Sequence, residues 1–324
     1  MKRDRAAVVG HINMDKELYL ESFPSPGVSV SVRETQEHLG GCAATIAMTA
    51  ARLGAEVSLY SVVGPDFPRG YIEELKATGV EMDGMMVLEG PSPYCLILNA
   101  PGKEQGYIMF QGVSEKEAVL ERSIGLLEAK LLLITSGVPS FHAALAERAV
   151  ERDAVVIFDP TQEIHYRWGR EELRRCVVSS GYIFLNELEY RKMREILRED
   201  PFSLSPTLSM IVVTAGERGY RVIERGGERR FPAVKTPGKV ITPTGAGDVM
   251  RGGFLAGLQK GLDPLLSVRL GAAVAAMAIC REQGRERFLG PKDVAGWLGR
   301  LLERGGGEAL DADLLAALES GKHF

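Results

Sequence analysis

Short apolar runs with β-branched residues recur along the chain, at Ala6–Val9, Leu131–Ile134 and residues 154–158, 182–185 and 210–213. Each has the length of a buried strand rather than of a helix. Between them the apolar positions move to helical spacing, as in residues 141–152 and Glu187–Leu197. Buried strands alternating with helices predict an α/β fold: a doubly wound, mostly parallel sheet flanked by helices.

The residues that follow each run are polar or glycine-bearing. They read Gly10-His11-Ile12-Asn13, Thr135-Ser136-Gly137, Asp159-Pro160-Thr161, Asn186-Glu187-Leu188-Glu189 and Thr214-Ala215-Gly216. Turn chemistry alone accounts for any one of them. In a doubly wound sheet, however, the carboxyl ends of the strands share an edge, so all these exits converge on one crevice.

Two regions, about residues 15–39 and 93–111, break this rhythm with alternating patterns such as Val28-Ser29-Val30-Ser31-Val32 and Tyr94-Cys95-Leu96-Ile97-Leu98. They predict a small β-sheet lid over the crevice that excludes water. A lid with one exposed face is also a natural homodimer contact. Gly305-Gly306-Gly307 sets off a last amphipathic segment, about residues 308–319, read as a peripheral helix without chemistry. Residues 1–324 are read as a single domain.

The segment with most chemical content is Val240-Ile241-Thr242-Pro243-Thr244-Gly245-Ala246-Gly247-Asp248, a strand-like stretch passing through small residues into a helical pattern over residues 249–259. Small side chains at a helix start leave backbone N–H groups open to an anion. A carboxylate there can take the proton of an attacking hydroxyl while the amides stabilise a transferring phosphoryl group. A glycine turn with Asp248 as a helix cap is the plainer alternative.

Composition narrows the partners. With 43 acidic and 39 basic residues spread along 324 positions and a net charge of −4, neither nucleic acid nor an anionic membrane is favoured. Cys42, Cys95, Cys176 and Cys280 form no Cys-x-x-Cys pair, which fits a reducing, cytoplasmic setting. His11, His38, His142, His165 and His323 share no metal-ligand spacing and read as ordinary histidines. The charged residues 1–5 and the short run after them make no secretory leader, and the apolar stretch 271–280 falls short of the ~20 residues of a membrane span.

Two separated signatures carry a family resemblance. Gly40-Gly41-Cys42-Ala43-Ala44-Thr45-Ile46-Ala47, followed by Leu53-Gly54 and Val63-Gly64-Pro65-Asp66, is similar to the N-terminal Gly-Gly motif of the ribokinase family, also called the PfkB family of carbohydrate and nucleoside kinases. Gly245-Ala246-Gly247-Asp248 with Arg251-Gly252-Gly253-Phe254 resembles its second motif. The resemblance implies a ribokinase-like fold and an ATP-dependent phosphotransferase with Asp248 as base and the amides around Gly245, Ala246 and Gly247 as anion hole. Asn13 and Asp15 would hold sugar hydroxyls, and Gly40 and Gly41 would let the backbone approach the substrate. Asn186 and Glu189 match an Asn-x-x-Glu motif that organises Mg2+ and its waters around ATP, Glu189 acting partly through water. Thr214, Gly216 and Gly219 resemble a Thr-x-Gly-x-x-Gly stretch along the triphosphate. Each of these also has an ordinary reading as a turn or a solvated helix start.

The chain departs from the family pattern at two positions. Thr45 stands where the family usually has Asn, leaving a smaller set of sugar contacts. Thr242 stands where many members have Asp and a monovalent cation binds, so weak or absent potassium activation is expected. Asp159-Pro160-Thr161-Gln162 resembles the Asp-Pro-Gly-Gln segment of archaeal and some bacterial nucleoside kinases, with Gln162 on the substrate side, and Arg251 points the same way. A nucleoside phosphorylated at its 5′-hydroxyl is the leading expectation; a free sugar such as ribose, fructose or a sugar acid is the alternative. A dinucleotide-dependent oxidoreductase would want Gly-x-Gly-x-x-Gly after the first strand, and a Walker-type enzyme Gly-x-x-x-x-Gly-Lys-Ser/Thr; neither is present. A non-catalytic sugar or nucleoside sensor on the same fold is the remaining rival, and the presence of Asp248 argues against it.

Overall fold

The computed structural model describes residues 5–102, 105–122, 128–282, 284 and 287–320, with the side chains of 121 and 122 excepted. Most of the charged N-terminus, residues 1–4, and His323 lie outside the described residues. Strands β1 (Ala6–Val9), β2 (Asn13–Leu20), β3 (Val32–Gly40), β4 (Val57–Val63), β5 (Glu81–Val87), β6 (Tyr94–Asn99) and β7 (Gly106–Phe110) occupy the first third. They are followed by β8 (Leu131–Ile134), β9 (Val155–Phe158), β10 (Ser180–Asn186), β11 (Met210–Thr214), β12 (Tyr220–Glu224) and β13 (Gly227–Phe231).

The large sheet has the order β13-β12-β11-β10-β9-β8-β1-β4-β5. It is parallel except at β12 and β13, which form an antiparallel hairpin on one edge. Strand order reverses at β1, which pairs with β4 on one side and β8 on the other. That reversal makes the exit of β1 a switch point where a crevice opens. Alternate residues of each strand serve opposite faces: Val8 and Phe184 enter one apolar cluster, Val9 and Leu185 the other.

Helices cover both faces. In chain order they are α1 (Cys42–Arg52), α2 (Arg69–Ala77), α3 (Pro139–Val150), α4 (Arg170–Ser179), α5 (Glu187–Leu197), α6 (Pro201–Leu204), α7 (Ala246–Gln259), α8 (Pro264–Ala278), α9 (Pro291–Glu303) and α10 (Ala309–Glu319). Ile46 of α1, Phe254 of α7 and Val268 of α8 pack on one face; Phe141 of α3, Leu173 of α4 and Leu197 of α5 pack on the other. Helix α7 is held unusually close to its neighbour, since a Cβ on Gly253 would lie 2.6 Å from the Gly271 Cα of α8. A side chain at that contact would push the helices apart and move the N-terminus of α7.

A second sheet, ordered β3-β2-β6-β7, supplies the expected lid. Its central pair β2–β6 is parallel and its outer pairs are antiparallel. Residues 28–31 form no strand despite their alternation, because the β2 partner ends at Leu20, which pairs with Val32, and Val28 is left 60% exposed. The stretch before the glycine loop is likewise not a strand. Val240 and Ile241 are exposed, and the amides of Ile241 and Thr242 both turn to the Ile279 carbonyl beyond α8. Among the described residues no helix is long and apolar enough to cross a membrane.

The last helix is bolted to the core by charge. Asp311 of α10, fully buried, accepts from Arg269 of α8 through Nε at 2.7 Å and Nη2 at 2.6 Å. Leu314 is buried beside it. Removing one partner of a buried pair strands the other charge, at a cost of about 3–5 kcal/mol. Asp311→Ala should therefore lower the unfolding free energy by that order in urea titration; a loss under about 1 kcal/mol would contradict the assignment.

Candidate active site

The strand exits do converge. A cavity of about 660 Å³ opens at the carboxyl edge of the large sheet and is lined by His11 and Asn13 after β1, Ser136 after β8, Asp159, Thr161 and Gln162 after β9, Asn186 and Glu189 after β10, and Thr214 at the end of β11. Lid residues Asp15, His38, Ile97, Tyr107 and Met109 face it, as do Gly40, Gly41 and Thr45 and the loop residues Gly245, Ala246, Gly247 and Asp248. Gly216 and Gly219 lie outside the lining. Gly219, at φ 91°, is instead required locally, since a Cβ there would sit 2.1 Å from the Phe231 carbonyl oxygen.

The glycine pair is explained by what crowds it. A Cβ on Gly40 would lie 2.0 Å from the Asp15 carboxyl carbon, and Gly41, at φ 93°, sits against the His11 carbonyl. Only glycine allows β3 to turn into α1 while Asp15 and Asn13 keep their place on β2. Burial pushes the Asp15 carboxyl up to about 6, with His38 pulling it back.

Helix α7 begins with Gly245 in the left-handed conformation as its N-cap and no side-chain cap. The Ala246 amide donates to the Pro243 carbonyl at 3.2 Å, while the Gly247 and Asp248 amides have no acceptor among the described residues. First-turn amides of this kind are anion donors. Asp248 stands in that same turn, its carboxyl raised to about 6 by burial, with Arg251 opposing the shift and Asp159 adding to it. Arg251, 5% exposed, is ion-paired with Asp159 and also donates from Nη2 at 3.2 Å. Its guanidinium folds back under the loop, where a Cβ on Gly247 would lie 2.5 Å from Nη1.

Glu189 is not a solvated helix start. It is 3% exposed and forms a capping box with Asn186: the Asn186 amide donates to Glu189 Oε2 at 2.6 Å, and the Glu189 amide to Asn186 Oδ1 at 2.8 Å. Burial raises its carboxyl to about 7, and Asp159 adds to the rise. Among the described residues no cluster of three or more ligands forms a dedicated metal cage. Mg2+ needs none, because it keeps waters and phosphate oxygens as ligands. Even with Arg287 beside Asp248, the carboxyls of Asp159, Glu189 and Asp248 outnumber the two guanidiniums, a surplus of acidic groups that suits a divalent cation.

Several lining residues carried no signal in the sequence. His11 lies between Glu117 and Glu163, at 3.8 Å from each, and burial lowers its pKa. Glu163 also accepts from the Gly137 amide at 2.7 Å and from Gln111 at 3.0 Å, tying three strand exits together. Gln105, at the β6–β7 turn, accepts from the Thr244 hydroxyl at 2.9 Å and from Tyr107 at 2.7 Å, so the lid touches the glycine loop directly. Cys42, whose thiol is raised well above its usual range by burial and by Asp248, and Arg287 complete the wall beside Asp248. These are contacts between distant segments, and no local pattern encodes them.

The pfkB family carbohydrate kinase model matches residues 3–288. The chain is 28% identical over 280 residues to a nucleoside kinase of Methanocaldococcus jannaschii, covering 86% of this chain and 91% of that one. It is 30% identical over 270 residues to a cytidine kinase of Thermococcus kodakarensis, covering 82% and 92%. The crystal structure of the M. jannaschii nucleoside kinase, an archaeal member of the ribokinase family, superposes with a TM-score of 0.82 at 26% identity, covering 92% of this chain and 98% of that one.

One lining residue is strained. Thr161 has φ 54°, a region that a β-branched residue rarely enters, at the position where the resembling segment carries glycine. The strain is held by the Thr161 amide donating to Asp159 Oδ1 at 3.0 Å, which also steadies the carboxylate facing Arg251. Relief of about 1–2 kcal/mol in Thr161→Gly outweighs the ~0.5–1 kcal/mol that glycine adds through chain entropy. The variant should unfold at higher denaturant, by about 0.5–1 kcal/mol; a fall in the midpoint would contradict this.

Proposed function

The chain belongs to the pfkB family of carbohydrate kinases, and from that premise we propose that it transfers the γ-phosphoryl group of ATP to the 5′-hydroxyl of a nucleoside. The observation that carries this reading is the placing of Asp248 among the first-turn amides of α7, in the cavity that Asn13 and Asp15 also line. In this reading Asn13 and Asp15 grip the ribose diol, with Gly40, Gly41 and Thr45 close against the sugar and Gln162 facing the base. The 5′-oxygen then attacks phosphorus as its proton passes to Asp248 and ADP departs. The Gly245 and Gly247 amides meet the charge gathering on the phosphoryl oxygens.

Asn186 and Thr214 border the nucleotide side, while Gly216 and Gly219, outside the lining, shape the turn that follows Thr214. Glu189, with Asp159 near it, would hold Mg2+ through water, and the ion when bound neutralises phosphate charge. The two sheets act as one domain whose lid shuts out water. Strand β7, with Tyr107, Ile108, Met109 and Phe110 exposed on an open sheet edge, is where a second copy would pair.

The test is an ATP-dependent phosphorylation panel of nucleosides against ribose, fructose and sugar acids, with Asp248→Asn beside the wild type. A nucleoside acceptor is expected, and turnover of free sugars alone would overturn the assignment. Asp248→Asn should lose about 10²–10⁴-fold in kcat with acceptor binding largely kept. Because the base acts deprotonated, wild-type kcat/KM should fall as pH drops through about 6, the value to which burial raises Asp248. A flat profile from pH 5 to 8 would count against Asp248 as the base.

A further inference from the structure

The loop that carries the anion-binding amides is braced by a positive charge distant in sequence. Arg287, 3% exposed, lines the cavity and donates from Nη2 to the Thr244 carbonyl. Its Nη1 lies 3.4 Å from where a Gly245 Cβ would project. The Thr244 carbonyl and the Gly245 N–H belong to the same peptide group. A cation bonded to that oxygen draws electron density away from the nitrogen and makes the Gly245 N–H a stronger donor. The same charge favours the ionised form of Asp248, while burial works against the charge on Arg287 itself.

A second contact limits what the loop can do. The Thr244 hydroxyl is held by Gln105 from the lid at 2.9 Å, so Thr244 is fixed through its side chain from one sheet and through its carbonyl by Arg287. Thr242, two residues earlier, carries no carboxylate with which to hold an inorganic cation, and the Thr244 amide turns back to its hydroxyl at 3.4 Å.

We propose that Arg287 is a positioning residue for phosphoryl transfer: a built-in cation that fixes the Thr244–Gly245 peptide and strengthens its amide toward the transferring phosphoryl group. The proposal rests on the kinase reading above. Arg287 acts through the loop rather than by touching the acceptor, so its loss weakens the transition state more than substrate binding.

The experiment compares the wild type with Arg287→Met and Arg287→Lys, with potassium exchanged for sodium at constant ionic strength, and with added guanidinium. Wild-type kcat should change less than about twofold with potassium. Arg287→Met should lose about 10²–10³-fold in kcat with acceptor KM within about threefold, and guanidinium should restore part of the loss. Arg287→Lys should recover most of the rate. Retention of kcat within about threefold in Arg287→Met, or a loss confined to KM, would overturn the proposal. So would a loss that neither lysine nor guanidinium repairs, or a wild type strongly activated by potassium. Calorimetric binding of ADP with aluminium fluoride separates this proposal from the kinase reading itself. If the wild type phosphorylates no acceptor, that reading fails, while a roughly 100-fold weaker complex in Arg287→Met still supports the brace and an equal affinity overturns it.

Discussion

Three carboxylates, those of Asp159, Glu189 and Asp248, meet the single guanidinium of Arg251 at the carboxyl edge of the sheet. All four groups are taken largely out of water, where charges interact far more strongly than at a surface and an unpaired one is expensive. Arg251 ion-pairs with Asp159 and so leaves the other two acids under-compensated, their carboxyls raised by burial toward neutrality. A poised acid and base region of this kind invites a proton acceptor role for one group and a divalent cation beside the other. The ion pair also locks geometry: Arg251 sits one turn into α7 and Asp159 just past the end of β9, so the pair fastens α7 to the sheet.

The rest of the fold serves that fastening. The parallel strands bring their exits to one edge, and the reversal of strand order at β1 opens the crevice between them. Close backbone contact between α7 and α8 sets the height of the first turn of α7 over the cavity. The second sheet reaches over from the other side, and its β6–β7 turn meets the glycine loop at Thr244 through Gln105. The first turn of α7, with its open amides and Asp248, and strand β2, with Asn13 and Asp15, are therefore separate rigid elements that meet at the cavity.

Much of this was legible in the chain. The β1, β8 and α5 segments were readable to the residue, because a buried parallel strand is a continuous apolar run and Asn186 with Glu189 marks a helix start. Two alternating or apolar stretches misled, residues 28–31 and 240–241, because strand formation needs a partner at the right register and neither stretch has one. Strand β4 and the β12–β13 hairpin went unread, the latter being an antiparallel appendage to an otherwise parallel pattern. At the site, local motifs pointed to Asp248, Asn13 and Glu189. The partners that tune them, Asp159 against Arg251 and Arg287 against Thr244, are long-range contacts that become visible only once the strands are laid side by side. Thr161 shows the same limit: its sequence neighbours mark a familiar segment, but only the backbone reveals that threonine occupies a conformation suited to glycine.

Burial raises the Asp248 carboxyl and the Arg251 guanidinium opposes that rise, a balance on which the site turns. It is tested most directly by the acid limb of the kcat/KM profile in Arg251→Met, measured beside Arg251→Lys. Removing the cation leaves Asp248 facing Asp159 with only Arg287 still favouring its ionised form, so the limb should move to higher pH than the wild-type value of about 6, and lysine should bring it back. An acid limb that stays in place in Arg251→Met would show that Arg251 does not favour the ionised form of Asp248.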